Sequence, residues 1–256
     1  MHHLFINSSQ LSGDQKILRL SGDDYHHMVR VLRMKPGEEL SASLQESGEE
    51  YRFGITEITE HEVICSLRFV KRDTAELPVR LILLQGLPKG DKMEQIIEKN
   101  TELGVAEIVP VSLKRCVMKL DEKKAAARVV RWNKIAEAAA KQARRGIIPR
   151  VTGVMSLGEA LVYVKDADVK LVPYELEPVE GEGEPSDCGM SRTRRLIESA
   201  GDGQSAAVLI GPEGGFEESE ILQAKEAGFS SVTLGSRILR TETAGMTVSA
   251  WFAYRF

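Results

Sequence analysis

The chain has 256 residues, of which 42% are hydrophobic and 28% are charged, and its formal net charge is −4 at pH 7. These values are typical of a globular protein with room for two domains, and they exclude collagen-like, disordered and membrane-spanning classes. The first residues lack the features of a signal peptide, so the sequence predicts a cytoplasmic protein.

The N-terminal part of the chain has the pattern of a small β-rich barrel. Strand-like segments alternate with Ser-Gly-Asp, Pro-Gly and Ser-Gly turns. The predicted strands are residues 16–20, 39–44, 50–58 and 63–70. One helix interrupts them after Asp23 and Asp24, because apolar residues then follow at helical spacing. These apolar residues are Tyr25, Met28, Val29 and Leu32.

The same helix carries a basic face. Its members His27, Arg30 and Arg33 predict a contact with RNA. A polar helix surface is the alternative for the pair His26 and His27. That alternative is preferred over metal binding, because the local sequence supplies no further ligands.

A change of pattern near residues 72–78 predicts a domain boundary. Strands and helices alternate after it, which is the signature of a parallel α/β sheet. The predicted elements are strands at 79–85 and 107–111 and helices at 89–103 and 123–145. We therefore expect a barrel domain over residues 1–73 and an α/β domain over residues 74–256.

Positive charge is concentrated in the segment 114–150. It contains twelve Lys and Arg residues against three acidic ones, a local charge of about +9. The predicted helix leaves the following cations facing solvent: Lys134, Lys141, Arg144 and Arg145. Complementing the helix C-terminus is one use for them, but their number exceeds that need and favours a nucleic-acid partner. The acidic segment 175–187 is expected to form a solvated surface loop.

Two glycine-rich loops near the C-terminus predict a small-molecule pocket. The apolar run 206–210 is a buried strand that ends in Gly-Pro-Glu-Gly-Gly, residues 211–215. A helix to about Ala227 and a strand at 230–234 follow, and the second loop then enters a final helix with Thr241 as its N-cap. Ligands bind beyond the carboxyl ends of strands in such sheets, where we expect these two strands to be neighbours. A tight connection without function is the alternative for the first loop alone.

Several common chemistries lack their motifs. The sequence has no Gly-x-Gly-x-x-Gly, Walker or Gly-x-Ser-x-Gly motif, and no His-x-Glu with paired cysteines. The three cysteines are odd in number and widely spaced, so neither a disulfide framework nor a metal site is expected. Cys116 lies among basic residues, but that position alone is weak support for a nucleophile.

Six segments spread over nearly the whole chain form one recognisable pattern. They are His27–Arg33, Lys89–Glu94, Thr101–Val105, Trp132–Gln142, Ile210–Phe216 and Leu234–Ala244. The pattern resembles the RsmE family, SPOUT-class enzymes that methylate N3 of a uridine in 16S ribosomal RNA with S-adenosylmethionine. The opening His2-His3-Leu4-Phe5 departs from the arginine-bearing start of similar proteins.

The resemblance implies a fold and a set of partners. The fold is a PUA-like N-terminal barrel followed by a SPOUT α/β domain, with a mostly parallel sheet and a deep trefoil knot. The partners are the small ribosomal subunit, or its assembly intermediate, and a second copy of the chain, without a metal. An RNA-binding assembly factor that keeps the SPOUT scaffold without catalysis is the alternative function.

The resemblance also implies two groups of binding residues. The cofactor-binding group is Gly211, Pro212, Glu213, Gly214, Gly215, Leu234, Gly235, Ile238, Leu239, Arg240 and Thr243. The RNA-binding group is His27, Arg30, Arg33, Arg115, Lys141, Arg144 and Arg145.

Candidate catalytic residues follow from the proposed reaction. Methylation of uracil N3 requires loss of the imide proton, which leaves negative charge on the flanking carbonyl oxygens. Arg240 is the first candidate to stabilise that charge. Glu102 and Glu213 are candidates for a base or for positioning. Their alternatives are a helix-end residue for Glu102, and a carboxylate that satisfies backbone donors or makes a dimer contact for Glu213.

Overall fold

The chain folds as two compact units. The computed structural model describes residues 2–44, 49–71, 75–175 and 189–256. Unit 1 contains the chain up to Glu76 together with Ala140–Ile148, and unit 2 contains Leu77–Ala139 and Pro149–Phe256. The periodicity of the sequence gives no sign that residues 140–148 group with unit 1. Most of the predicted acidic surface loop 175–187 lies outside the described residues.

Unit 1 is a mixed five-stranded sheet with its own apolar core. Its strands are β1 His2–Ile6, β2 Ile17–Ser21, β3 Glu39–Leu44, β4 Glu50–Ile58 and β5 Glu62–Lys71. Their order is β1-β3-β4-β5-β2, with β1 parallel to β3 and the other pairs antiparallel. Alternate residues such as Leu18 and Leu20 are buried, because successive side chains of a strand point to opposite faces. The four predicted strands are confirmed, whereas β1 is absent from the prediction.

The predicted helix of unit 1 is present but changes type halfway. α1, Gly22–His26, continues into a π-helical turn at His27–Val31. The Leu32 N–H closes this wide turn by donating to the His27 carbonyl over 2.9 Å. Met28 is buried as predicted, but Leu32 is 38% exposed. The extra residue of a π-turn rotates the following side chains away from the core.

Unit 2 is a parallel sheet with helices between its strands, as predicted. The strands are β6 Arg80–Gly86, β7 Glu107–Ser112, β8 Arg150–Val151, β9 Met155–Ser156, β10 Val169–Pro173, β11 Ser205–Ile210 and β12 Ser230–Val232. Their order is β12-β10-β11-β6-β7-β8, and β9 also pairs with β7. The apolar residues of β6 and β11 are buried without alternation, because helices cover both faces of a parallel sheet.

Among the described residues, six helices follow the strands of this half of the chain. They are α2 Lys92–Glu102, α3 Glu122–Gln142, α4 Leu157–Tyr163, α5 Gly189–Glu198, α6 Glu218–Glu226 and α7 Thr241–Arg255. α3 is shorter at its C-terminus than the predicted helix, and its last turn groups with unit 1. In the part of the chain that the structure describes, no helix is long and apolar enough to cross a membrane.

Two features of the C-terminal region differ from the prediction. β10 lies between β11 and β12, so the strands that carry the glycine-rich loops are not neighbours. β10 lacks a clear strand signal because it is short and contains Lys170 and Pro173. The N-cap of α7 is Arg240 rather than Thr241, whose hydroxyl group donates a hydrogen bond to Gly211 instead.

Candidate active site

A cavity of about 410 Å³ lies beyond the carboxyl ends of β10, β11 and β12. Its walls are the β10 loop (173–175), the β11 loop (211–216) and the β12 loop (233–240). The first turn of α7 and Lys92 of α2 complete the lining. Open parallel sheets bind ligands at this edge. The two predicted loops therefore meet at one cavity, and the β10 loop is a third wall that sequence reasoning missed.

Glycines give the β11 and β12 loops backbone conformations that other residues disfavour. Gly215 has φ 67° and Gly235 has φ 105°, where a Cβ atom is strained. Gly211 has no room for a side chain, because an added Cβ would lie 3.0 Å from the Phe216 ring. A ligand in the cavity can therefore approach the peptide groups of these loops closely.

Thr241 joins the cavity to the centre of the sheet. Its Oγ1 donates to the Gly211 carbonyl over 2.6 Å and accepts from Gln85 Nε2 over 2.9 Å. Gln85 is fully buried at the end of β6, and its amide also donates to the Gly86 carbonyl. The start of α7 is thus fixed to both β6 and the β11 loop. The sequence signal for Gln85 is a lone amide after the apolar run Leu81–Leu84.

Glu213 is held in place by donors from α2 and the turn before it. Its Oε1 lies 3.2 Å from Lys92 Nζ and 3.1 Å from the Lys89 backbone nitrogen. Lys92 also pairs with Glu242 of α7 at 3.1 Å. Burial raises the pKa of Glu213, but its own backbone N–H, the Lys89 N–H and the Lys92 ammonium outweigh burial and leave this pKa below its ordinary value. An ionised, occupied carboxylate suits positioning better than proton removal.

Lys92 was not among the predicted site residues, although it lines the cavity. Its pKa is raised, first by the hydrogen bond to Glu242 and then by the one to Glu213, so its ammonium stays charged. The sequence gives little indication that Lys92 belongs to the site. Lys-Gly-Asp-Lys at the start of a predicted helix is typical of an ordinary polar helix N-terminus.

Arg240 offers a free cation at the cavity. It lines the cavity and is exposed. Across the described ranges its guanidinium makes no recorded hydrogen bond or ion pair. Arg237 of the same loop has the same properties. Within the described part of the chain, both side chains are thus available to an anionic ligand in the cavity.

Three predicted residues lie outside the lining. Nine of the eleven predicted cofactor-binding residues line the cavity, and Gly214 and Thr243 do not. Gly214 packs against Arg115, where an added Cβ would lie 3.1 Å from the Cβ of the arginine. Glu102 is also absent from the lining, and its carboxylate pairs with Lys99 Nζ at 2.8 Å. That pairing matches the reading of Glu102 as a helix-end residue.

Cysteine and metal chemistry gain no support from the structure. Cys116 is buried, and burial raises the pKa of its thiol, which makes it a poor nucleophile. Within residues 2–44, 49–71, 75–175 and 189–256, no group of three or more His, Cys, Asp and Glu side chains could hold a metal ion.

The predicted RNA-binding residues divide between the two units. Exposed members of unit 1 are His27, Arg30, Arg33, Lys141 and Arg144. The rings of His27 and His2 lie 5.1 Å apart, so the unusual N-terminus joins this group. In unit 2, Arg115 donates to Glu217 and to the Gly214 carbonyl, both over 3.1 Å. Arg115 thereby supports the β11 loop.

Arg145 differs from the prediction, because it is buried rather than solvent-facing. Only 2% of its surface is exposed, and its Nη2 and Nε atoms donate to Glu76. The reason is the early end of α3 at Gln142, after which the chain turns and directs Arg145 inward.

Comparison with known proteins gives consistent results along the chain. Residues 75–253 match the family model of an RNA methyltransferase domain, and residues 20–68 match that of an RNA methyltransferase PUA domain. The chain is 36% identical over 236 residues to ribosomal RNA small subunit methyltransferase E of Bacillus subtilis strain 168, which covers 92% of this chain and 89% of that protein.

Two solved structures resemble the whole chain. One is a ribosomal RNA small subunit methyltransferase E from Neisseria gonorrhoeae bound to S-adenosyl methionine, with a TM-score of 0.81, 28% identity, and coverage of 100% of this chain and 98% of that one. The other is a putative methyltransferase from Legionella pneumophila in complex with the same cofactor, with a TM-score of 0.75, 28% identity, and coverage of 99% and 97%.

Proposed function

Because this chain belongs to the family of ribosomal RNA small subunit methyltransferases E, we propose that it methylates N3 of a uridine in 16S ribosomal RNA. Membership makes the chain an S-adenosylmethionine-dependent RNA methyltransferase, and it confirms the predicted family. The predicted PUA-like domain and SPOUT α/β domain are confirmed as well. The trefoil knot and the uridine N3 acceptor remain predictions.

The observation that carries the proposal is the three-loop cavity in the matched methyltransferase domain. Its volume of about 410 Å³ lies in the range of roughly 300–1,000 Å³ that small-molecule sites occupy. Apolar residues Ile210, Phe216 and Leu234 line the cavity together with glycines of the two loops, a combination that suits the flat, edge-polar adenine ring. The residues present therefore fit S-adenosylmethionine.

Bound S-adenosylmethionine would supply a methyl group on a positively charged sulfur, which is already activated for transfer. The chain then has to align the acceptor and stabilise the charge that develops on it. We assign charge stabilisation to Arg240, because its exposed guanidinium at the cavity can bind a uracil carbonyl oxygen as N3 loses its proton. Glu213 keeps the β11 loop in place through Lys89 and Lys92.

We also propose the small ribosomal subunit as substrate, which implies action in the cytoplasm. The exposed cations of unit 1 suit RNA phosphates, and their number would make binding sensitive to salt. We also propose that the chain forms a homodimer, which is the assembly that its resemblance to the RsmE family implies. Ile238 and Tyr254 support it, because they are 85% and 93% exposed and large apolar side chains are commonly covered in an interface.

Methyl transfer from labelled S-adenosylmethionine to small subunits and to naked 16S RNA tests the proposal. Digestion of the product to nucleosides should give 3-methyluridine, and mapping on the intact RNA should place it at one position. A ribose-methylated nucleoside would contradict the N3 acceptor while keeping the enzyme class. RNA binding without any methyl transfer, together with no heat of S-adenosylmethionine binding in calorimetry, would favour the assembly-factor alternative.

A further inference from the structure

The C-terminal end of α3 has an arginine where the backbone favours glycine. The Arg145 N–H donates to the Ala140 carbonyl over 3.0 Å, and the Arg144 N–H donates to the Lys141 carbonyl over 3.2 Å. This pair of bonds is a Schellman motif, which places its penultimate residue in the left-handed region. That residue is Arg144, with φ 55°.

A side chain at this position is strained, because the Cβ atom of an L-residue crowds its own backbone there. Among the described residues only three that are not glycine have a positive φ, and Arg144 is one of them. Strained residues persist where the surrounding structure fixes them, and they are concentrated at functional sites.

The next residue shows what fixes the turn. Arg145 is 2% exposed, and Glu76 accepts hydrogen bonds from its Nε and Nη2 atoms. The same carboxylate accepts from the backbone N–H groups of Gly146 and Ile147, over 2.9 and 3.1 Å. One partly buried carboxylate thus receives four donors from three consecutive residues. Adjacent arginines have opposite environments, one buried as an anchor and one exposed.

Arg144 is exposed in a region of unit 1 that collects positive charge. No hydrogen bond or ion pair of its guanidinium is recorded within the described part of the chain. Lys141 and the neighbouring rings of His2 and His27, tilted by 38° to each other, belong to the same unit. Burial lowers the pKa of His2, and the proximity of His27 and Lys141 lowers it further.

We infer that this turn is built to present Arg144 to a phosphate of the RNA, with Arg145 and Glu76 as its positioning residues. The inference rests on the proposed function in taking RNA as the partner. A guanidinium donates two parallel hydrogen bonds to a phosphate, which a more mobile ammonium does not reproduce. Fixing the turn in advance removes the need to order it on binding.

Four variants of the full chain separate charge from backbone strain. R144A and R144G both remove the cation, but only R144G relieves the left-handed conformation. R144K keeps the charge, and R194A removes an exposed arginine of α5 in unit 2 as a control for net charge. Binding to a 16S RNA transcript, without S-adenosylmethionine, is measured at several salt concentrations.

We expect R144A and R144G to weaken RNA binding equally, by about 3- to 10-fold, and to reduce the salt slope by about one. R144K should recover only part of the affinity, because an ammonium keeps the charge but not the two parallel hydrogen bonds, and R194A should stay within about twofold of the wild type. The Tm of R144G should exceed that of R144A by about 2–4 °C, because glycine adopts a positive φ without strain. All variants should bind S-adenosylmethionine like the wild type.

The inference is overturned if R144A and R144G bind RNA as well as the wild type, or if they lose no more affinity than R194A. It is also overturned if affinity follows Tm rather than charge, with R144G binding better than R144A. A wild type that binds RNA through Arg144 but transfers no methyl group would defeat the proposed function and leave this inference standing. If the wild type transfers the methyl group but its RNA affinity does not depend on Arg144, the proposed function stands and this inference fails.

Discussion

At the scale of single residues, one hydroxyl group joins the sheet, the cavity and the last helix. Thr241 accepts a hydrogen bond from Gln85 and donates one to Gly211. Both partners are held by this single buried atom, so its removal leaves polar groups without a partner in an apolar surrounding. The position of the β11 loop therefore depends on a residue outside the glycine-rich sequence.

T241V should destabilise unit 2 by about 1–3 kcal/mol, because valine keeps the shape of threonine but leaves the Gly211 carbonyl unsatisfied. Affinity for S-adenosylmethionine should fall with it. T247V is the matched control, since the Thr247 hydroxyl makes a local bond to the Thr243 carbonyl, over 2.9 Å, in the same helix. Denaturant unfolding and calorimetry measure both effects. Equal losses in the two variants would show that the Thr241 network has no special role.

R240Q should lower kcat for methyl transfer by about 10²- to 10³-fold, as loss of an oxyanion donor does in other enzymes. The Kd for S-adenosylmethionine should change little. Part of the rate should return at higher pH, because uracil N3 then ionises without the help of the guanidinium. R237Q is the control, since Arg237 lines the same cavity and is also exposed. A larger loss in R237Q would transfer the assigned role to that residue.

Glu213 should make stability depend on pH through its lowered pKa. A carboxylate whose pKa is lowered on folding stabilises the fold when it is ionised. Its contribution is present above its ordinary pKa of 4.5 and is lost as pH falls through the lowered value. The Tm of the wild type should therefore exceed that of E213Q near neutral pH, and the gap should close on acidification. E218Q, at an exposed position of α6, should show no such closing gap.

At the scale of elements, strands with uninterrupted apolar runs could be predicted from sequence, whereas β10 could not. β6 and β11 consist of consecutive buried residues, so their strand character is local and strong. β10 is equally central, but Lys170 and Pro173 interrupt its apolar pattern. Its place between β11 and β12 depends on long-range pairing, which no local pattern records. The β10 loop was missed for the same reason.

The residues of the candidate site also divide into those that local sequence predicts and those that depend on long-range contacts. The glycine loops were predicted because their backbone requirements are visible in residue type. Lys92 and Gln85 reach the site through contacts with residues more than a hundred positions away, such as Glu213 and Thr241. The outward position predicted for Arg145 was wrong, because helical periodicity was continued past the true end of α3.

E76A tests the anchor of the α3 turn as an element. Loss of Glu76 leaves the guanidinium of Arg145 buried without its counter-ion, which should destabilise unit 1 by about 3–5 kcal/mol. The double variant E76L with R145M should recover part of that loss, since apolar replacements tolerate burial. Thermal unfolding compares the two. If the double variant is less stable than E76A, the ion pair itself stabilises the fold. The loss in E76A would then not come from the unpaired charge that is left buried.

At the scale of the whole molecule, net charge conceals the feature that matters for the proposed substrate. The whole chain has a formal net charge of −4, yet the segment 114–150 has a local charge of about +9. Acidic residues elsewhere balance these cations in the total, and most of the cations, though not the buried Arg145, lie at the surface. A bulk property such as the isoelectric point would therefore classify this protein with those that avoid nucleic acid, whereas the distribution of its charge favours RNA.

The return of residues Ala140–Ile148 to unit 1 has a consequence for synthesis of the chain. Glu76 emerges from the ribosome well before Arg145, Gly146 and Ile147, the residues that its carboxylate accepts hydrogen bonds from. Unit 1 therefore cannot be completed until 148 of the 256 residues have been translated. Much of unit 2 has been made by then, so the two units must mature in an interleaved order rather than one after the other.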